Sequence, residues 1–306
     1  MHEFQTIRDY LRYALSSFGR HPIALGQGAE TLWDEALALV FGTLALPPDG
    51  DARLLDARVT PEEGAQLLAV IEARVSSREP VAYLTGRAWF CGLPFFVDRR
   101  VLIPRSPLGE WLTEQAMARP ELPIDRPLRF LDLCTGSGCL GIVAASVFPE
   151  STGVLVDIDP GALEVCQSNV QWHELGGTLT LVQSDGLQAV VPEQFDLIIC
   201  NPPYVDAEDM AQLPPEYRHE PSLALASGED GLAFVRSLLG TVRTYLTDQG
   251  LLALEVGNSA GALAAWLEPV LGPLSWVECA RGGHGVVILS AADLDAVYSA
   301  FYGDQA

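Results

Sequence analysis

The chain has 306 residues, 49% of them hydrophobic, and a net charge of −22 from 40 acidic against 18 basic residues, every one of the bases arginine. This length suits two domains and supports a large core, and the missing lysine excludes a Schiff-base lysine, a P-loop lysine and a lysine general base. The acidic balance argues against stable nucleic-acid binding, which needs a basic face, and favours a small molecule or a basic protein partner steered by opposite charge, although such charge can also serve solubility alone.

Six cysteines, Cys91, Cys134, Cys139, Cys166, Cys200 and Cys279, show no C-x-x-C pair and mostly sit in apolar runs. They read as reduced, buried thiols of a cytoplasmic protein with no structural metal. The start, MHEFQTIRDYLRYALSS, carries acids and no continuous apolar stretch, so it does not read as a signal peptide. Apolar runs such as ALALVFGTLAL are too short to span a bilayer.

Residues 1–80 read as a helical bundle. Phe4, Ile7, Leu11 and Leu15 recur at helical spacing, as do Leu32, Ala36, Leu39 and Val40. TPEEGAQLLAVIEARV opens with Thr60 as a cap, Pro61 in the first turn and Glu63 closing a capping box. A separate bundle of this kind suits substrate recognition. Residues 81–104 alternate aromatic and β-branched positions around Gly92-Leu93-Pro94 and read as a β-hairpin linker. From 105 to 306 strands and helices alternate: LRFLDLCTG, GVLVDID, LTLVQSD, FDLIICNPPY, GLLALEVG, WVECA and GVVILS as strands, with CLGIVAASVF, PGALEVCQSNVQWH and GLAFVRSLLGTVRTYL as helices. The pattern predicts an α/β domain with a mostly parallel sheet covered on both faces, which binds ligands at the carboxyl ends of its strands.

The first of these strands runs into DLCTGSGCLG, where Gly136, Gly138 and Gly141 fit G-x-G-x-x-G. The pattern alone says only that backbone passes close to a ligand or a helix. Dinucleotide and S-adenosylmethionine compete for it. Asp132, ahead of the glycines, would repel a pyrophosphate but suits a sulfonium and an ammonium. Asp157 ends the second strand about 20 residues on, where an acid accepts from ribose hydroxyls in either class. Asp159, before Pro160, reads as a helix cap. Asp185 ends the third strand and suits an exocyclic amine of adenine, or an ordinary turn.

NPPY, residues 201–204, ends the fourth strand at the mouth of the same cleft. The Asn201 side-chain oxygen and the Pro202 carbonyl could accept both hydrogens of an NH2 group and favour its pyramidal, nucleophilic form. The prolines supply rigid carbonyls and no competing donor. The π-face of Tyr204 would favour positive charge growing as a methyl group transfers. Neither metal nor general base is required.

DLCTGSG, VDIDP, QSD and NPPYVD in this order resemble the protein glutamine N5-methyltransferases. NPPY by itself is shared with enzymes methylating adenine in DNA, but the helical start, the hairpin and VLIPRS narrow the resemblance to the glutamine group. It covers nearly the whole chain and implies a seven-stranded, Rossmann-like class I methyltransferase domain after an N-terminal helical bundle and hairpin linker. It also implies S-adenosylmethionine as donor, with S-adenosylhomocysteine as product. The release-factor branch typically carries D-L-G-T-G-S-G and P-R-P-x-T-E, where this chain has Cys134 and PRSPLGE. WDEALALV, EVGNS, RGGHGVVIL and the long segment after NPPY are similar to the branch acting on a large-subunit ribosomal protein. A basic ribosomal protein is therefore the expected partner, met before or during ribosome assembly.

Carried over position by position, the family's cofactor contacts fall on Asp132, Cys134, Thr135, Gly136, Asp157, Asp185 and Asn201. Its substrate contacts fall on Asn201, Pro202, Pro203 and Tyr204, with Asn201, Pro202 and Tyr204 expected to act in catalysis. Arg105 is either a shaping residue or a structural arginine at a domain join. The five histidines share no ligand spacing. His219 and Glu220 either cover the site or form a turn, and Glu208 and Asp209 offer a docking place for a basic protein. The rival readings are methylation of the GGQ glutamine of release factors, adenine-N6 methylation, a nicotinamide oxidoreductase, and an assembly factor that only binds.

Overall fold

The computed structural model describes residues 4–47, 50–123, 125–280 and 283–303. Helices α1 (Ile7–Phe18), α2 (Leu32–Thr43) and α3 (Pro61–Ser76) begin at Thr6, Thr31 and Thr60, each of which forms a capping box. The Thr60–Glu63 box was legible in the sequence. The other two use Asp9 and Asp34, whose shorter carboxylates still reach back to the threonine amides. Their apolar stripes meet in one core containing Leu11, Phe18, Leu39, Val40, Leu67 and Ile71.

A short helix α4 (Val81–Thr85) leads into the hairpin of β1 (Arg87–Phe90) and β2 (Leu93–Phe96). The turn is at Cys91 and Gly92, one step earlier than the sequence suggests. Both residues have positive φ, 49° and 78°, as a tight hairpin turn requires, and Leu93 and Pro94 already belong to β2. The hairpin is anchored rather than free. Asn169, fully buried, accepts from the Phe96 amide at 2.7 Å and donates to the Phe96 carbonyl at 3.0 Å and to Ser137 O at 2.8 Å. One side chain thus ties hairpin and glycine loop together.

Beyond it come α5 (Leu108–Glu114), β3 (Arg129–Leu133), α6 (Cys139–Val147), β4 (Thr152–Asp157), α7 (Pro160–Trp172), β5 (Leu179–Gln183), β6 (Phe195–Cys200), α8 (Ala207–Gln212), α9 (Ala233–Leu239), β7 (Leu246–Glu255), α10 (Ala260–Leu271), β8 (Val286–Ser290) and α11 (Ala291–Phe301). The sheet order is β5-β4-β3-β6-β7-β8, parallel except for antiparallel β8. Every residue of β6 is buried, which explains why it reads as a largely apolar run rather than an alternating one; its one charge, Asp196, is paired with Arg126.

The described sheet has six strands where seven were expected. WVECA contributes a single antiparallel bridge, Trp276 to Val287, together with Val277 N donating to Val286 O at 2.9 Å. It then peels away, because α5 captures its backbone: Gln115 Nε2 donates to Glu278 O at 3.1 Å, and the Glu110 carboxylate accepts from the Ala280 amide. His2 and the Arg281-Gly282 pair of RGGHGVVIL lie outside the described residues. Among those described, no helix is long and apolar enough to cross a membrane.

Candidate active site

β4 and β6 flank β3 on opposite sides, so the connections reverse between β3 and β6 and open a crevice beyond their carboxyl ends. Its floor is the loop between β3 and α6. Thr135 N donates to Val156 O at 2.9 Å and Gly136 N to Asp157 Oδ2 at 2.8 Å, which draws the loop onto β4. A Cβ built on Gly136, where φ is 53°, would project into open space. Cys134 adopts φ 58°, the left-handed region that glycine tolerates more easily. The loop is thus as tight as a glycine would make it, at the expense of strain in Cys134.

Asp132 lies deeper than the other carried-over positions. It is absent from the cleft wall and fully buried beneath the loop, where its Oδ2 accepts from Thr135 Oγ1 at 2.6 Å and Gly141 N at 2.9 Å. Burial pushes its carboxyl up to about 7, against the pull of those two donors. With Oδ2 it shapes the loop, while its buried Oδ1 has no hydrogen-bond partner among the described residues.

The cleft has an empty volume of about 1110 Å³ including its open mouth. Cys134, Thr135, Gly136, Asp157, Asp185, Asn201 and Pro203 all line it, so the topology brings together the remaining carried-over cofactor positions. Asp157 Oδ1 also accepts from Asp159 N at 3.0 Å. Burial raises its pKa, and the amides of Asp159 and Gly136 oppose that shift. Asp159 caps α7 as read from the sequence. Sequence reasoning missed three apolar walls. Ile158 is 44% exposed, Leu223 is 56% exposed, and Phe234 is half-buried. Exposed apolar side chains on a cleft suit a flat apolar ligand surface, but exposure is invisible in a sequence.

A second cleft, of about 1500 Å³ including open solvent, adjoins the first. NPPY forms part of the partition: Pro203 lines the first cleft, Pro202 and Tyr204 line the second, and Asn201 lines both. Asn201 Oδ1 is buried and has no hydrogen-bond partner among the described residues. A buried acceptor without a donor costs on the order of 1–3 kcal/mol. Tyr204 Oη donates to Glu255 Oε1 at 2.9 Å. Glu255 ends β7 at the same sheet edge, and the signal that found Asp157, an acid closing a buried strand, is present there too.

The far wall of the second cleft includes Leu25 and Gly26 from the N-terminal bundle, with Leu213, Pro214 and Tyr217 from the segment after NPPY. That segment is clamped at both ends. Glu216 accepts from Ala24 N at 2.8 Å, Arg74 Nη1 at 3.2 Å, and Arg78 Nε and Nη2 at 2.6 and 2.9 Å. Glu220 accepts from Ile103 N at 3.1 Å and from Arg105 Nη1 and Nη2 at 2.6 and 3.0 Å. Arg105 therefore has a structural partner, yet it also lines both clefts. His219 Nε2 lies 2.9 Å from Ser77 O, which ties the same segment to the bundle.

The family model described as the methyltransferase small domain matches residues 119–213. The chain is 44% identical over 295 residues to the ribosomal protein uL3 glutamine methyltransferase of Bordetella pertussis, covering 96% of this chain and 97% of that one. It is 42% identical over 304 residues to the protein of the same name from Burkholderia pseudomallei, covering 96% and 97%. The hMettl16 catalytic domain, solved in complex with MAT2A 3'UTR hairpin 1, has a TM-score of 0.51 at 14% identity, covering 93% of this chain and 91% of that one, which speaks to fold alone. With identity at this level in alignments that cover 96% of its length, the chain belongs to the family of ribosomal protein uL3 glutamine methyltransferases.

Proposed function

We propose that this chain transfers a methyl group from S-adenosylmethionine to the side-chain amide nitrogen, N5, of a glutamine in a large-subunit ribosomal protein. The observation that carries the reading is Asn201, standing in the wall between two clefts with a buried, unsatisfied acceptor oxygen. The donor fits the first cleft on three counts: the open cradle at Gly136, the backbone-held Asp157 carboxylate suited to ribose hydroxyls, and the apolar Ile158, Leu223 and Phe234 beside Asp185 suited to adenine. When bound there, the donor supplies an electrophilic methyl carbon.

The chain's own residues supply the orientation. Asn201 Oδ1 and the Pro202 carbonyl accept the two N–H groups of the substrate carboxamide and hold its nitrogen toward the first cleft. Both acceptors disfavour the planar, conjugated amide and expose its lone pair. Tyr204 presents an electron-rich ring to the charge that develops on nitrogen, which is discharged when one N–H proton of the methylated amide passes to solvent in the open second cleft. Holding both partners in line provides most of the acceleration.

The N-terminal bundle serves recognition of the protein substrate, since Leu25 and Gly26 wall the second cleft. Asp209 lines that cleft and Glu208 is exposed beside it, so the docking face suits a basic chain. The setting is the cytoplasm, consistent with six free thiols, and stable nucleic-acid binding is not part of the function. Raising ionic strength is expected to weaken docking of the protein substrate, and an affinity indifferent to salt would refute the electrostatic part.

The test is incubation with radiolabelled donor and a lysate from cells lacking this enzyme. Label in a large-subunit ribosomal protein supports the reading. Label in a release factor, or in nucleic acid, overturns the substrate assignment. Asn201→Ala is expected to abolish labelling while donor binding persists, and retained turnover would remove Asn201 from the mechanism.

A further inference from the structure

Glu255 is 3% exposed, its carboxylate accepts from Tyr204 Oη at 2.9 Å and from Ser106 Oγ, and it lines the second cleft. Nothing in the reaction above uses it. Tyr204 is held at two further places, its backbone and its ring. Ser259 Oγ lies 3.0 Å from the Tyr204 carbonyl, and a Cβ at Gly257 would stand 2.5 Å from Tyr204 Cε2, so the backbone of 257 packs directly on the ring. The phenol is thus held at its hydroxyl and against one face, and Ser259 holds the backbone that carries it.

We propose that Glu255 is a positioning residue for methyl transfer, which locks the Tyr204 hydroxyl and enriches its ring through the carboxylate charge. This rests on the reaction proposed above. A phenol donating to a carboxylate carries more negative charge over its ring than one donating to water, and so attracts a developing cation more strongly. The effect is electrostatic and depends on ionisation.

Burial raises the Glu255 carboxyl to about 7, while Ser106, Tyr204 and Arg105 pull the other way. The groups facing it are Arg105, itself paired with Glu220; Tyr204; Ser106; the Cys200 and Cys279 thiols, whose deprotonation it opposes; and His284 across the cleft. The arrangement gives turnover an acid limb near neutrality. Below it, protonated Glu255 leaves the ring less negative.

The test compares wild type, Glu255→Gln, Tyr204→Phe and the double variant as full chains. Gln keeps the shape and one acceptor for the Tyr204 hydroxyl. Expected for Glu255→Gln are a kcat on the ribosomal protein lower by roughly tenfold or more, KM and donor affinity unchanged, and loss of the acid limb of kcat. Tyr204→Phe should match it, and the double variant should be no worse than either. Wild-type kcat, or a fall in kcat that leaves the acid limb in place, overturns the proposal. A second measurement is independent of the substrate: the ¹³Cζ resonance of Tyr204, assigned with Tyr204→Phe, should titrate near neutral pH in wild type and not in Glu255→Gln. A resonance that does not titrate overturns the coupling, whereas a titrating one with no methylation of the ribosomal protein overturns only the function proposed above.

Discussion

Replacing Glu216 by alanine should loosen the substrate cleft without touching the donor cleft. The Glu216 side chain is fully buried and receives four hydrogen bonds, three of them from Arg74 and Arg78. Arg74 is 1% exposed and keeps Glu35 Oε1 at 2.6 Å and Ala24 O at 2.9 Å after the change, while Arg78, 20% exposed, can turn to water. Breaking a buried ion pair typically costs about 3–5 kcal/mol. The partners that remain place this case at the lower end, about 3 kcal/mol. With a urea slope of about 3 kcal/mol per M, the unfolding midpoint should fall by about 1 M. Burial alone would raise the Glu216 pKa, but the bonds from Arg78, Ala24 and Arg74 hold it below the usual value. Its contribution is therefore present above the unfolded carboxyl value of about 4.3 and lost as pH falls through the lower folded one. Calorimetric titration should show donor affinity unchanged, and steady-state kinetics should show a raised KM for the protein substrate. A midpoint shift under about 0.5 M, well short of the value just derived, or donor binding lost in step with substrate binding, would refute the reasoning.

Two further changes test the loop below the donor cleft. Cys134→Gly relieves left-handed strain of roughly 1–2 kcal/mol but loses about 0.5–1 kcal/mol to chain entropy, so stability should stay within about 1 kcal/mol of wild type. Cys134→Val puts a β-branched residue at φ 58° and should be clearly the less stable of the two in urea unfolding, and equal midpoints would contradict the strain. Asp132 has its folded pKa raised to about 7 by burial, so the folded state binds its proton more tightly than the unfolded one. The stability it lends is complete below about pH 3.9 and is lost as pH rises through 7. Between those limits Asp132→Asn should flatten the pH dependence of unfolding by about one proton, ~1.4 kcal/mol per pH unit, and an unchanged slope would contradict its buried protonation.

What the sequence disclosed about the site was local. A mostly apolar strand followed by Asp157 or Asn201 announces both the strand and the edge at which it stops, because a buried parallel strand carries few polar side chains along its length. Glycine-loop spacing fixes where α6 begins, and Thr60 fixes where α3 begins. The failures concern partners far apart in the chain. Glu216 and Arg74 are separated by 142 residues, and Ser106 and Glu255 by 149, and no periodicity or spacing encodes such pairings. Asp132 shows the other limit. Its position next to the glycines was legible, but whether its carboxylate points over or under the loop depends on Thr135 and the Gly141 amide closing around it. The WVECA segment has strand composition, and α5 diverts it after a single bridge.

The segment after the NPPY run is held to the bundle and the hairpin largely by charge. Its two buried carboxylates, Glu216 and Glu220, take guanidinium groups from Arg74 and Arg78 at the end of the bundle and from Arg105 at the exit of the hairpin. Arg105 also lies with its Cζ 5.4 Å from the Tyr217 ring centre, adding a cation–π contact to the same segment. Each of these arginines is chain-distant from the sheet, so the bundle and the hairpin do more than carry the methyltransferase domain: they set the height of the far wall above Asn201. Buried ion pairs contribute little net stability but fix one geometry, since any displacement strands a charge away from water. On the function proposed above, a glutamine side chain in the second cleft would be measured against a wall that includes Leu25 and Gly26, so recognition of the substrate and orientation of its amide would draw on the bundle and the sheet together.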